Sequence, residues 1–203
     1  MDFNKITIYL LASFIIVIRR TVLLLFVPYK TMRRISLSSD LYQLIVILFL
    51  AFLYFLVSHL LRGDVIWGFL AYAMFLFLFF LTVLFFHLIS SSFKVKADIK
   101  IFVYSFGYTL MPTLLWFATN LILFVILPPP RTMSILGKGF SIFFIAYSMS
   151  LLMWKFILIY FSLRFSYRLG LYRIIYAFLL YAVLFIPLSI LLYHLKIFRI
   201  PFI

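Results

Sequence analysis

The sequence predicts an all-α integral membrane protein: five transmembrane helices preceded by an N-terminal basic helix that lies in the membrane interface or re-enters it. Three observations point there. Of the 203 residues, 68% are hydrophobic, and the mean hydropathy is +1.28. Only 11% are charged, against about 25% in soluble domains. The apolar residues also gather into charge-free runs, and about 20 such residues in a helix cross the hydrocarbon of a bilayer. A chain this apolar cannot clothe itself in polar surface, and it is far too apolar to stay disordered. The runs are continuous rather than alternating, so helices that satisfy their own backbones fit and a β-barrel does not.

Residues 1–36 form the basic N-terminal segment and 37–203 the five-span domain. The first span, about 40–61, is the uncharged run Leu41–Leu61; Asp40, following Ser38 and Ser39, reads as the acid that opens it. Arg62-Gly63-Asp64 makes the turn into the second span, about 65–90. Lys94 to Lys100 is a short charged loop, with Asp98 inside it. The third span, about 101–127, stops at Pro128-Pro129-Pro130, because proline cannot extend a helix. The fourth, about 139–163, is interrupted only by Lys155, and the fifth, about 172–195, follows a link holding Gly170.

Basic residues collect on the cytoplasmic side of bilayers. Lys5, Arg19, Arg20, Lys30, Arg33, Arg34, Lys94, Lys96, Lys100, Arg164, Arg168 and Arg173 fall on one side, twelve in all. Arg62, Arg131, Lys138, Lys196 and Arg199, five in all, fall on the other. The count places the N-terminus in the cytoplasm and the C-terminus outside. Three placements are open to residues 6–27. A cleaved signal lacks its leading charges and small-residue cleavage site. A sixth span would carry Arg19 and Arg20, each costing about 2.5–3.5 kcal/mol at the centre. An interfacial helix fits the basic stripe, since the six N-terminal cations fall within an arc of about 140° at 100° per residue. Ile16 and Leu23 interrupt the stripe, and Pro28 should kink the helix.

The residues from the second span into the third read Leu84-Phe85-Phe86-His87-Leu88-Ile89 and then Tyr104-Ser105-Phe106-Gly107-Tyr108-Thr109-Leu110-Met111-Pro112. With Trp154 in the fourth span and Pro28 ahead of the first, this order resembles the Ypt-interacting-protein (Yip) domain family, whose third span opens on Gly-Tyr-x-x-x-Pro. The resemblance runs from about Val27 to the C-terminus. It implies five spans and a cytoplasmic N-terminus. Lys94-Val95-Lys96 stands where the family commonly has glycines, and the long cytoplasmic region tied to small-GTPase partners is missing, so GTPase binding is not implied. The short prokaryotic form is the nearer likeness, in a prokaryotic cytoplasmic membrane. It implies an accessory membrane subunit, in some members associated with an ABC-type transporter.

Few residues could do chemistry. Lys155 lies in the fourth span, about 6 Å to the cytoplasmic side of its middle, and no acidic residue lies inside any span. Pro112 removes the N–H that would pair with the Tyr108 carbonyl. Lys155 can therefore donate to the backbone or hydroxyl of Tyr108, or it can snorkel to the headgroups. Pro187 frees the Val183 carbonyl in the same way. Asn120 reads as glue between helices, and Thr109/Thr113 and Ala146/Ser150 are small-residue pairs suited to close helix contact within the bundle. His59 and His194, both near the outer face, lack a carboxylate to complete a metal site. No paired carboxylates, phosphate-binding glycine loop or nucleophile elbow is present. No enzyme activity and no cofactor are expected.

The cations sit at span ends and the aromatics inside spans, so anionic headgroups or an acidic membrane subunit, and not nucleic acid, are the expected partners of Arg19, Arg20, Lys30, Arg33, Arg34, Lys94, Lys96, Lys100, Arg164, Arg168 and Arg173. An accessory or scaffold subunit of a transporter complex is the leading expectation. A small-molecule carrier and a lipid-handling or membrane-shaping protein are the alternatives.

Overall fold

A computed structural model describes residues 3–38, 40–93, 98–126 and 135–194, with the side chains of 3–7, 135–138 and 193 outside that description. The helices are α1 (Phe3–Phe26), α2 (Pro28–Leu37), α3 (Leu41–Leu60), α4 (Val65–Ser92), α5 (Ile99–Gly107), α6 (Met111–Ile126), α7 (Ile135–Tyr167) and α8 (Leu171–His194). A 3₁₀ turn, Tyr108–Leu110, joins α5 to α6 into one rod. Among the described residues there is no strand. The protein is an all-α membrane protein. By length and composition six stretches qualify to cross a bilayer: the five expected ones and, in addition, Ile8–Phe26.

The local punctuation follows from residue chemistry. Proline at the first helical position needs no N–H partner, so α2 begins on Pro28 after Val27 has left helical geometry (φ −138°, ψ 62°). Asp40 and Asp98 cap α3 and α5, accepting from the backbone N–H of Tyr42 at 3.0 Å and of Lys100 at 2.8 Å. Asp64 makes no such cap for α4. Gly63 turns the α3–α4 hairpin at φ 82°, a conformation glycine adopts without strain.

Spans α3 and α5–α6 run side by side in one direction, with Leu44 beside Gly107 and Tyr54 stacked on Phe117 at 4.0 Å. A Cβ on Gly107 would meet the Leu44 methyl at 2.5 Å, so a larger residue there would push the Leu44 side chain aside. Helices α4 and α7 run opposite to them, and α8 packs outside α4 and α7. The interior is aromatic. Phe55, Phe75, Phe79, Phe86, Phe102, Phe106 and Phe117 are buried and meet edge-on or tilted, geometries that ring quadrupoles favour.

Helix α1 packs against α3 and meets its first turn at two places. Tyr9 stacks on Tyr42 at 5.8 Å while Arg20 bonds Gln43 at 2.6 Å. Tyr9 and Arg20 stand three turns, about 16 Å, apart on α1, yet their partners are neighbours on α3. The helix buries Ser13, Val17 and Leu24 and leaves Ile8, Leu11, Ile15, Ile18, Leu25 and Phe26 exposed. Helix α2 then folds back beneath α5 and α7. Its Thr31, Met32, Ile35 and Ser36 are buried, its Lys30, Arg33 and Arg34 are exposed, and Tyr29 packs edge-on against Phe161 and Phe165.

Candidate functional site

Two polar clusters interrupt the apolar packing. The first sits where α1, α3 and α5–α6 meet and centres on Gln43, the chain's only glutamine. Its Oε1 accepts from Arg20 Nη1 at 2.6 Å and from the Tyr108 hydroxyl at 2.5 Å. Its Nε2 donates to Asp40 Oδ2 at 2.7 Å. The second Arg20 nitrogen donates to Ser38 Oγ at 2.8 Å, and the guanidinium lies over the Tyr108 ring, 5.8 Å from its centroid. Gln43 is 5% exposed and Tyr108 2%. The cluster ties the cap of α3 and the kink of the third span to α1. Thr21 strengthens the tie through Met111 Sδ at 3.1 Å.

The second cluster is a line of rungs between α5–α6 and α7. Ser105 Oγ lies 2.8 Å from both Ser162 Oγ and Ser166 Oγ. Lys155 Nζ donates to Thr113 Oγ1 at 3.1 Å, Trp116 Nε1 donates to Ser148 Oγ at 3.1 Å, and Thr119 and Tyr147 share a hydrogen bond of 2.9 Å. Between the middle rungs a cavity of about 10 Å³ is lined by Pro112, Thr113, Trp116, Ser148 and Lys155 together with Leu151 and Leu152.

The structure corrects several expectations. Lys155 reaches Thr113, one residue beyond Pro112; the Tyr108 hydroxyl points to the other side of the third span and is taken by Gln43. The Tyr108 carbonyl does not wait for an outside donor. The 3₁₀ turn tightens the chain so that the Met111 N–H donates to it. Arg20 is not on an outward basic stripe, because Pro28 ends α1 and the inward face of the helix carries Arg20 to Gln43. Asn120 bonds its own helix, at the Trp116 carbonyl, 2.8 Å away. Thr109 and Thr113 are buried as small contact residues should be, but Ala146 and Ser150 face outward. Pro187 sits exposed in a helix that continues through it.

Arg19, Lys30, Arg33, Arg34, Lys100, Arg164, Arg168 and Arg173 are exposed as expected; Lys94 and Lys96 lie outside the described residues. Among the described residues no three metal-ligating side chains cluster. His87 instead meets the Tyr167 hydroxyl at 2.9 Å, and His59 the Phe55 carbonyl at 3.0 Å.

Residue-by-residue reading passed over Gln43, Ser148 and the Ser162/Ser166 pair. The signals were present. A lone glutamine just inside an apolar run needs partners, and serines four apart lie on one helix face. No family model, curated protein or solved structure matches this chain.

Proposed function

We propose that this protein is a non-enzymatic accessory subunit of a larger membrane complex, of the five-span Yip-like kind and associated with a transporter of the ABC type. The observation that carries the reading is the end of the bundle where α4 and α7 finish and α5 and α8 begin. Lys30, Arg33 and Arg34 on α2, Lys100 on α5, Arg164 and Arg168 at the end of α7 and Arg173 on α8 are all exposed there. The two acids nearby, Asp40 and Asp98, are occupied as helix caps. Such a face complements an acidic subunit and anionic headgroups.

In this reading the basic end is cytoplasmic, the N-terminus lies on that side, and the C-terminus lies outside a prokaryotic cytoplasmic membrane. Helix α1 lies in the plane of the interface with its apolar sides in the acyl boundary. The meeting of Tyr9 and Arg20 with the adjacent residues Tyr42 and Gln43 supports that placement, because a span packed in register along α3 would bring them to positions three turns apart. The test is purification from native membranes in a mild detergent. A stoichiometric partner chain should accompany the protein, and Lys30→Glu/Arg33→Glu/Arg34→Glu should release it without loss of helical content. A monodisperse monomer with no partner, or retention of the partner by the triple variant, overturns the reading.

A further inference from the structure

We propose that the outward strip of α7 between α2 and α8 seats one anionic phospholipid, with Arg164 and Tyr160 holding its phosphate and Met153 and Ile157 lying under its acyl chains. The proposal rests on the reading above only in that the basic end of the bundle meets a bilayer surface; it needs no partner subunit.

The seat follows from how α7 is surrounded. Phe161 and Phe165 meet Tyr29 of α2, and Ser162 and Ser166 meet Ser105 of α5. Tyr167 meets His87 of α4, and Phe156 meets Phe178 of α8. At 100° per residue, Met153, Ile157, Tyr160 and Arg164 fall within an arc of about 60°. That arc lies between Phe156 on one side and Phe161 on the other, so α8 and α2 flank it. Met153 and Ile157 are exposed, Tyr160 is half-buried, and Arg164 is exposed. All four belong to the spanning stretch Gly139–Tyr167. The strip is therefore apolar toward the middle of the span and cationic in its last turn.

The donors on this strip suit a phosphate. Arg164 turns back along the span: its Nη1 donates to the Tyr160 hydroxyl at 2.5 Å, one turn further in, and its guanidinium lies 5.8 Å from the Tyr160 ring centroid. The charge is thus held at the acyl boundary against a neutral phenol. A guanidinium carries five N–H donors, and this bond uses one. The Tyr160 oxygen accepts, which leaves its own proton to donate outward. Arginine's fork can take two phosphate oxygens while the phenol takes another. Free phosphate would satisfy these donors and leave Met153 and Ile157 bare. An acidic protein segment would lay backbone polar groups on side chains that face hydrocarbon, which is costly. A phospholipid brings the phosphate and the hydrocarbon in one molecule. A net anionic one also neutralises the guanidinium, whereas a zwitterion arrives with a cation of its own.

Native mass spectrometry of the purified, delipidated chain tests this, because it reads a lipid as a small mass increment and a partner subunit as a second chain. Titration with phosphatidylglycerol should give a single saturable adduct, and phosphatidylcholine should bind about tenfold more weakly or worse. Arg164→Gln should weaken phosphatidylglycerol binding about tenfold or more and Tyr160→Phe about threefold or more, the losses expected when bonds to a charged group are removed. Arg62→Gln removes the same charge from the opposite end of the bundle and should bind as the parent chain does. Excess inorganic phosphate should leave the adduct in place. Circular dichroism checks folding; if Arg164→Gln loses helix, Tyr160→Phe, which deletes one oxygen, still decides. Equal binding of the two lipids, parent-like affinity in Tyr160→Phe or in folded Arg164→Gln, an equal loss in Arg62→Gln, or displacement by phosphate would overturn the proposal.

Discussion

Replacing Gln43 by leucine should destabilise the protein more than deleting the tyrosine hydroxyl that Gln43 holds, and restoring the balance should restore stability. Leucine fills nearly the volume of glutamine, so packing changes little. What changes is the acceptor count. One oxygen, Gln43 Oε1, receives protons from both Arg20 and Tyr108. Its removal strands the Tyr108 hydroxyl, which is 2% exposed, and a stranded buried donor costs about 1–3 kcal/mol. It also strands one Arg20 nitrogen, for about 1 kcal/mol more, because the other nitrogen keeps Ser38. Gln43→Leu should therefore cost about 3 kcal/mol. Tyr108→Phe leaves Oε1 satisfied by Arg20 and should cost about 1 kcal/mol. In the double variant no hydroxyl is stranded, so it should be more stable than Gln43→Leu alone by about 1–2 kcal/mol. Equilibrium unfolding by SDS titration in mixed micelles, followed by far-ultraviolet circular dichroism, measures all three. Additive losses, or a Gln43→Leu cost no greater than that of Tyr108→Phe, would refute the shared-acceptor account.

Arg168 follows α7 with φ 50°, the left-handed region that side chains resist. Arg168→Gly should raise stability in the same assay by about 1 kcal/mol; no gain would show that the arginine's own contacts outweigh its backbone strain. The chain has no cysteine, so single introduced cysteines report sidedness without background. An impermeant maleimide should label Lys5→Cys from the same face as Lys100→Cys, with Gly63→Cys reacting from the opposite face. Labelling of Lys5→Cys together with Gly63→Cys would make Ile8–Phe26 a sixth span and remove the in-plane placement of α1.

The spans were legible because each is a local property: uninterrupted apolarity over some 20 residues, closed by charges, Pro28 or the Asp40 and Asp98 caps. The clusters were less legible because their partners are set by packing. Tyr108 and Gln43 stand far apart in sequence, and nothing near Tyr108 announces which side of the third span its hydroxyl will face. Pro112 showed that a carbonyl would lose its usual partner, but a tightening of the chain over three residues recovered it locally. The depth argument did place Lys155 close to the kinked segment. It erred in the direction around the helix, since Thr113 and Tyr108 project about 140° apart on a helix that advances 100° per residue.

The same rotation separates the two clusters. Tyr108 faces α3 and α1 and binds the third span to the start of α3, whereas Thr113 faces α7 and accepts from Lys155. A single kinked rod, with the 3₁₀ turn between these residues, therefore connects the N-terminal helix to Lys155. The Gly-Tyr-x-x-x-Pro run matters here less as a signature than as a mechanical part. Gly107 leaves room for the Leu44 side chain of α3, Tyr108 anchors the rod to Gln43, and Pro112 lines the cavity beside which Thr113 and Lys155 meet. Any movement of α1 would pull on Arg20 and Gln43 first.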